Sequence, residues 1–141
     1  MQREIMTSIP FLEQPSRDAQ NTDEDFAVAQ DIKDTLDAHR NSCVGMAANM
    51  IGVSKRIIAF VDEDFGGRIF IMFNPEITAR DGAFDTSEGC LSLHRERHTV
   101  RHQRIELTYF DRKFRERHAA FTGFTAQIIQ HEVDHCAGII I

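Results

Sequence analysis

A chain of 141 residues with 42% apolar content can build one real hydrophobic core, so it is expected to form a single domain spanning residues 1–141. Its net charge of −6 excludes a general nucleic-acid binder, because the only basic run, His94 to Arg104, is short. No apolar run approaches the roughly 18–20 residues that span a bilayer, and Met1-Gln2-Arg3-Glu4-Ile5 lacks the apolar segment of a secretory signal. Three widely spaced cysteines make no disulfide framework, which points to a reducing cytoplasm where a thiolate stays available as a ligand.

Residues 1–21 are mixed and polar and are expected to lie over the domain as a strap, anchored by Ile5, Ile9, Phe11 and Leu12. A first helix follows. Thr22 is its candidate N-cap, and Asp23, Glu24 and Asp25 place negative charge where the helix dipole favours it. Phe26, Ala29, Ile32 and Leu36 form one apolar stripe, and Asn41 marks the stop. The stretch from Cys43 to Gly52 is small and apolar, suited either to a close approach of backbone to ligand or to a tightly packed buried turn.

Strands are predicted at Arg56 to Val61 and Arg68 to Phe73, joined across Asp64-Phe65-Gly66-Gly67 and ended by Asn74-Pro75. Two more are expected at Gln103 to Phe110 and Arg115 to Phe121, and Arg97 to Arg101 also reads as extended. His94, His98 and His102 repeat every four residues, but an extended segment turns that spacing into exposed polar positions. A last helix is expected from about Gly123 to Ala137, with Gly138 as its stop. The fold class is therefore α+β, with small antiparallel or mixed β-sheets packed around the C-terminal helix.

That last helix carries His131-Glu132-Val133-Asp134-His135. Histidines at i and i+4 share one helical face and can grip a single metal ion, and Glu132 stands where it can take a proton from a water on that ion. A catalytic site needs about three protein ligands and an open position. Only six residues follow His135, so no later helix can supply a Glu, and Ile141 stands where a third His of an extended motif would fall. The third ligand is sought upstream. Cys90, in Glu88-Gly89-Cys90-Leu91-Ser92, is the best candidate, and a thiolate with two imidazoles suits Fe²⁺ or Zn²⁺. Cys136 points about 100° away from His135 around the helix, and Cys43 reads as a small buried residue.

These segments together resemble the peptide deformylase family, which is marked by a Gly-rich stretch ending Ala-Ala-x-Gln, then Glu-Gly-Cys-Leu-Ser, then Gln-His-Glu-x-Asp-His. Here they stand as Gly45 to Met50, Glu88 to Ser92 and Gln130 to His135, and the resemblance covers residues from about 22 to 141. It implies a metal-dependent hydrolase that removes the N-formyl group from N-formylmethionyl peptides or nascent chains, with release of formate. Cys90, His131 and His135 would hold one divalent ion, Fe²⁺ in the cell, with Zn²⁺, Ni²⁺ or Co²⁺ as substitutes. Glu132 would be the general base and then the acid, and the Leu91 backbone N–H would support the oxyanion. Gly45 would bind substrate backbone, Val44, Ile128 and Ile129 would line the methionine pocket, and Arg97, in the family's Arg-containing segment, would also bind substrate at the pocket. Glu88, paired with Arg101, would fix the Cys90 loop; a plain surface ion pair is the alternative reading of those two residues. No direct nucleic-acid or membrane partner is implied.

The first motif departs from the family. Met50 replaces the Gln whose amide donates to the oxyanion, and a thioether has no donor. Losing one such donor costs roughly 10²–10³ in rate. Asn49 carries an amide one residue earlier, and the motif's first Gly is replaced by Cys43. The chain also ends without the C-terminal segment that many members carry. The expectation is a deformylase of weakened activity; the alternative is a metal-binding paralogue that holds a formyl-peptide or other N-acyl ligand with little turnover.

Overall fold

The computed structural model describes residues 1–93 and 96–140. The N-terminal strap contains one helical turn, α1 (Ile9–Leu12), opened by Ser8, whose hydroxyl accepts the Phe11 N–H. Leu12 is fully buried and Ile5 packs partly on the core, but Ile9 is 42% exposed and does not anchor the strap as expected. Backbone bonds from Ser16 to Cys136 and from Arg17 to Ser54 hold the strap down.

Helix α2 (Asp23–Ala38) begins where capping chemistry places it: the Thr22 hydroxyl accepts the Asp25 N–H at 3.2 Å, and three acids fill the first turn. It buries Ala29, Ile32 and Leu36, and sets Phe26 edge-on against Phe73.

The strands form one sheet rather than several. Strands β1 (Gly45–Ala47), β2 (Ile57–Asp62), β3 (Arg68–Glu88), β4 (Arg97–Phe110) and β5 (Glu116–Thr122) pair in sequence order, every pair antiparallel. Helix α3 (Gly123–Cys136) then packs across the sheet. Strand β2 explains the layering, because it is buried at every position and so carries no polar face. Its Ile57, Ala59 and Val61 join Ile32 and Leu36 of α2, while Ile58 and Phe60 join Ala126 and Ile129 of α3.

Asn74-Pro75 does not end a strand. Strand β3 continues to Glu88 through a register shift between Phe73 and Glu76, where the missing Pro75 N–H falls outside the ladder. Asn74 takes a positive φ of 51°, and its side-chain amide pairs with both the N–H and the carbonyl of Ala19 in the strap. The extension matters for the site. It makes β3 and β4 a long hairpin, and the described part of its connection, Gly89 to Leu93, reaches α3.

Candidate metal centre and cavity

Helix α3 presents three different faces. Ala126, Ile129 and Cys136 pack on the sheet. Gln127, His131 and His135 turn towards the end of the β3–β4 hairpin, and Phe124, Ile128 and Glu132 face the segment 42–50 across a cavity. The i, i+4 spacing thus brings both imidazoles to the Cys90 turn. The Cys90 Sγ lies 3.4 Å from His135 Nε2, and ligand atoms of Cys90, His131 and His135 all fall within 4.8 Å of one another. Among the described residues this is the only His/Cys/Asp/Glu group of three with that geometry.

A buried ionic network orients the first imidazole. Glu88, the last residue of β3, accepts from His131 Nδ1 at 2.9 Å and from Gln127 Nε2 at 2.8 Å. Arg101 of β4 donates to the same carboxylate through Nε and Nη2 and reaches Asp134 through Nη1 at 2.6 Å. Burial raises the Glu88 carboxyl, but its bonds from His131, Arg101 and Gln127 outweigh this and hold it down at about 2. With Nδ1 engaged, His131 offers Nε2 to the metal point, the arrangement in which a carboxylate fixes a ligating imidazole. Burial lowers His131, yet the Cys90 and Glu88 partners push it up to about 10; burial, then the charges of His131 and Arg101, lower His135 to about 3. One thiol and two imidazoles converge on one point, and such a donor set fits a divalent cation of borderline softness.

Glu132 is 4% exposed, its Oε1 has no hydrogen-bond partner among the described residues, and burial raises it to about 7 despite the opposing charge of His131. It borders a cavity of about 440 Å³. Opposite it stands Gly45, which needs its lack of a side chain for space: a Cβ there would sit 2.7 Å from both Glu132 Oε2 and Ile128 Cγ2. The structure therefore brings Val44, Gly45, Leu91, Ile128 and Glu132 to one cavity beside Cys90, His131 and His135.

Two expected pocket residues are elsewhere. Ile129 is fully buried between α3 and the sheet, since one helical step carries it about 100° from Ile128. Arg97 donates to the Ile140 carbonyl at 3.3 Å and does not line the cavity. Cys43, expected as a plain buried residue, lines the cavity instead. Asn49 turns away from it and donates to the carbonyls of His135 at 2.9 Å and Leu12 at 3.4 Å, leaving Met50 on the cavity wall. Cys136 is buried in the core. His98 is exposed beside Asp85, the backbone of His102 pairs with the Gln130 amide, and the prediction for His94 lies outside the described residues. Gln127 and Asp134 escaped the sequence reading, although i−4 and i+3 from His131 put both within reach of the same network.

The family model described as polypeptide deformylase matches residues 3–141. The peptide deformylase of Clostridium beijerinckii is 49% identical over 141 residues, covering the whole of both chains. A crystal structure of a peptide deformylase from Legionella pneumophila superposes with a TM-score of 0.89 at 28% identity, covering 99% of this chain and 83% of that one. A Met-Ala-Ser-bound class I type b peptide deformylase from Acinetobacter baumannii superposes with a TM-score of 0.87 at 26% identity, covering 99% and 97%.

Proposed function

Because this chain belongs to the polypeptide deformylase family, a family of metal-dependent hydrolases that bind one divalent ion, we propose that it hydrolyses the formyl amide of N-formylmethionyl peptides. Water and the amide give formate and a free amino terminus. Cys90, His131 and His135 would hold the ion, Fe²⁺ in the cell. When bound, such an ion makes water nucleophilic near neutral pH and polarises the formyl oxygen.

The protein groups do the rest. Glu132 takes the proton from the attacking water and returns it to the leaving nitrogen; a carboxyl held at about 7 is suited to both directions. Leu91 lines the cavity, and its backbone N–H donates to the developing oxyanion. Gly45 holds the peptide backbone where the chain and α3 approach closely, and Val44 and Ile128 contact the methionine side chain. The formyl carbon carries only hydrogen, so its amide reaches the metal point where a bulkier acyl group is held off. The chain works in the cytoplasm on peptides or nascent chains; no helix of the described residues is long and apolar enough to cross a membrane.

One observation carries this reading: a buried carboxylate with an unpartnered oxygen stands beside a Cys–His–His set on an open cavity. Keeping such a group is costly unless it moves a proton. Met50 favours a second reading, ligand binding with little turnover, because the wall it occupies offers no side-chain amide. Formate release from formyl-Met-Ala-Ser by anaerobically purified, Fe²⁺-loaded protein separates the two. Turnover that Glu132→Gln abolishes supports the hydrolase. Turnover only in Met50→Gln supports the binding protein, and none in either the parent or Met50→Gln overturns the hydrolase.

A further inference from the structure

The proposed chemistry uses the α3 side of the cavity and gives no task to the thiol on the facing side. We propose that Cys43 is a specificity-determining residue that narrows the pocket for the first side chain of the bound peptide, favouring slender methionine over aromatic side chains; this rests on the peptide-hydrolase reading.

Three observations support it. Cys43 lines the cavity with Val44 and Gly45, and it packs with Cys90 and Leu91 on the core cluster that contains Met50. Its Sγ donates to the Gly45 carbonyl at 2.9 Å, so the side chain is a fixed part of the wall and not a swinging gate. The bore is already tight there, because Gly45 sits so close to Ile128 and Glu132 that even a Cβ would collide. That the cavity receives a ligand is marked independently by Glu132, 96% buried by its 4% exposure, with Oε1 unpartnered on the opposite side. Burial pushes the Cys43 thiol up to about 12, so near neutral pH it is an uncharged wall and a poor nucleophile. The position is glycine in the motif that this segment resembles, so the thiomethyl-sized bulk is an addition to the pocket.

The test is calorimetric binding of Met-Ala-Ser and Phe-Ala-Ser to Ni²⁺-loaded protein, which needs no turnover. The parent chain is expected to prefer Met-Ala-Ser. Cys43→Gly should shrink that preference by about 10-fold or more, the scale on which a pocket reads one small group, while Cys43→Ser, similar in size, should keep it. A preference in Cys43→Gly equal to the parent's, or lost equally in Cys43→Ser, overturns the proposal while leaving the hydrolase reading intact. Failure of the parent to bind either peptide overturns both. Thermal unfolding and metal content are measured on each variant; if Cys43→Gly does not fold, Cys43→Ala carries the test, with a smaller shift in the same direction expected and an unchanged ratio overturning it.

Discussion

The two sides of the cavity are built on opposite terms. On the side of α3 and the β3–β4 turn, charges are gathered and answered: Glu88 binds Arg101, Gln127 and His131, and Arg101 binds Asp134. Among the described residues the Glu132 carboxylate keeps its Oε1 unpartnered, and it lines the cavity. On the side of residues 43–50 the polar side chains are turned inward or absent. Asn49 spends its amide on the His135 and Leu12 carbonyls, the Cys43 thiol spends its proton on Gly45, and Met50 has none to give. The first side decides which bond is attacked. The second can only set how well the substrate is held and how much charge is stabilised.

The sharpest way to break that division is Glu132→Gln. It should keep the metal and lower formate release by about 10²–10⁴, the usual worth of a positioned acid–base group. Metal analysis beside the rate checks it, and turnover within tenfold of the parent would move proton transfer to another group. Glu88→Ala comes next. It strips His131 of its orienting partner and leaves the buried Arg101 with Asp134 alone. Metal affinity should fall about 10–100-fold, and stability by about 3–5 kcal/mol, as when one member of a buried ion pair is removed. Chelator competition and urea unfolding measure the two. Unchanged affinity would mean that packing of α3 suffices to aim the ring.

The same division explains what could be read from the sequence. Cys90, His131, Glu132 and His135 were legible because helical spacing fixes side-chain direction to within a fraction of a turn, and only one cysteine lay where the i, i+4 pair could meet it. The Glu88–Arg101 pair was open between a loop-fixing role and a plain surface ion pair, and its burial decides between them. The strand limits around Asn74-Pro75 were not legible. A proline usually ends a central strand, and nothing local announces that Asn74 will adopt a positive φ and pair with Ala19 from the strap. Ile129 and Arg97 were misplaced for a related reason. The next helical step after Ile128 turns Ile129 into the sheet, and the partner of Arg97 is a carbonyl at the far end of the chain, Ile140. Local patterns specify direction; contacts between distant segments need the fold.

Met50→Gln adds to the facing side the donor it lacks. If that absence is the main defect, formate release should rise by roughly 10²-fold. The new amide must also find its way into a position where Met50 is 1% exposed and part of the core. A rise in turnover with little change in thermal stability would show that the wall accepts a polar group on its cavity side. No rise would place the divergence in the pocket as a whole, with Cys43 the first residue to revert beside it.

Asn49→Ala tests the inward half of that wall and should have the smallest effect on catalysis. The Asn49 amide is 1% exposed and bridges the strap to the C-terminal turn of α3, so its removal takes a donor from the Leu12 carbonyl and leaves the His135 carbonyl with the Gly138 N–H alone among the described residues. Stability should fall by about 1–3 kcal/mol, read as a lower urea midpoint with an unchanged slope. Formate release per metal-loaded molecule should change little, because Asn49 does not line the cavity. A loss of about 10²–10³ in turnover would mean the reverse: the turn re-registers when substrate binds, and Asn49 supplies the oxyanion donor that Met50 cannot.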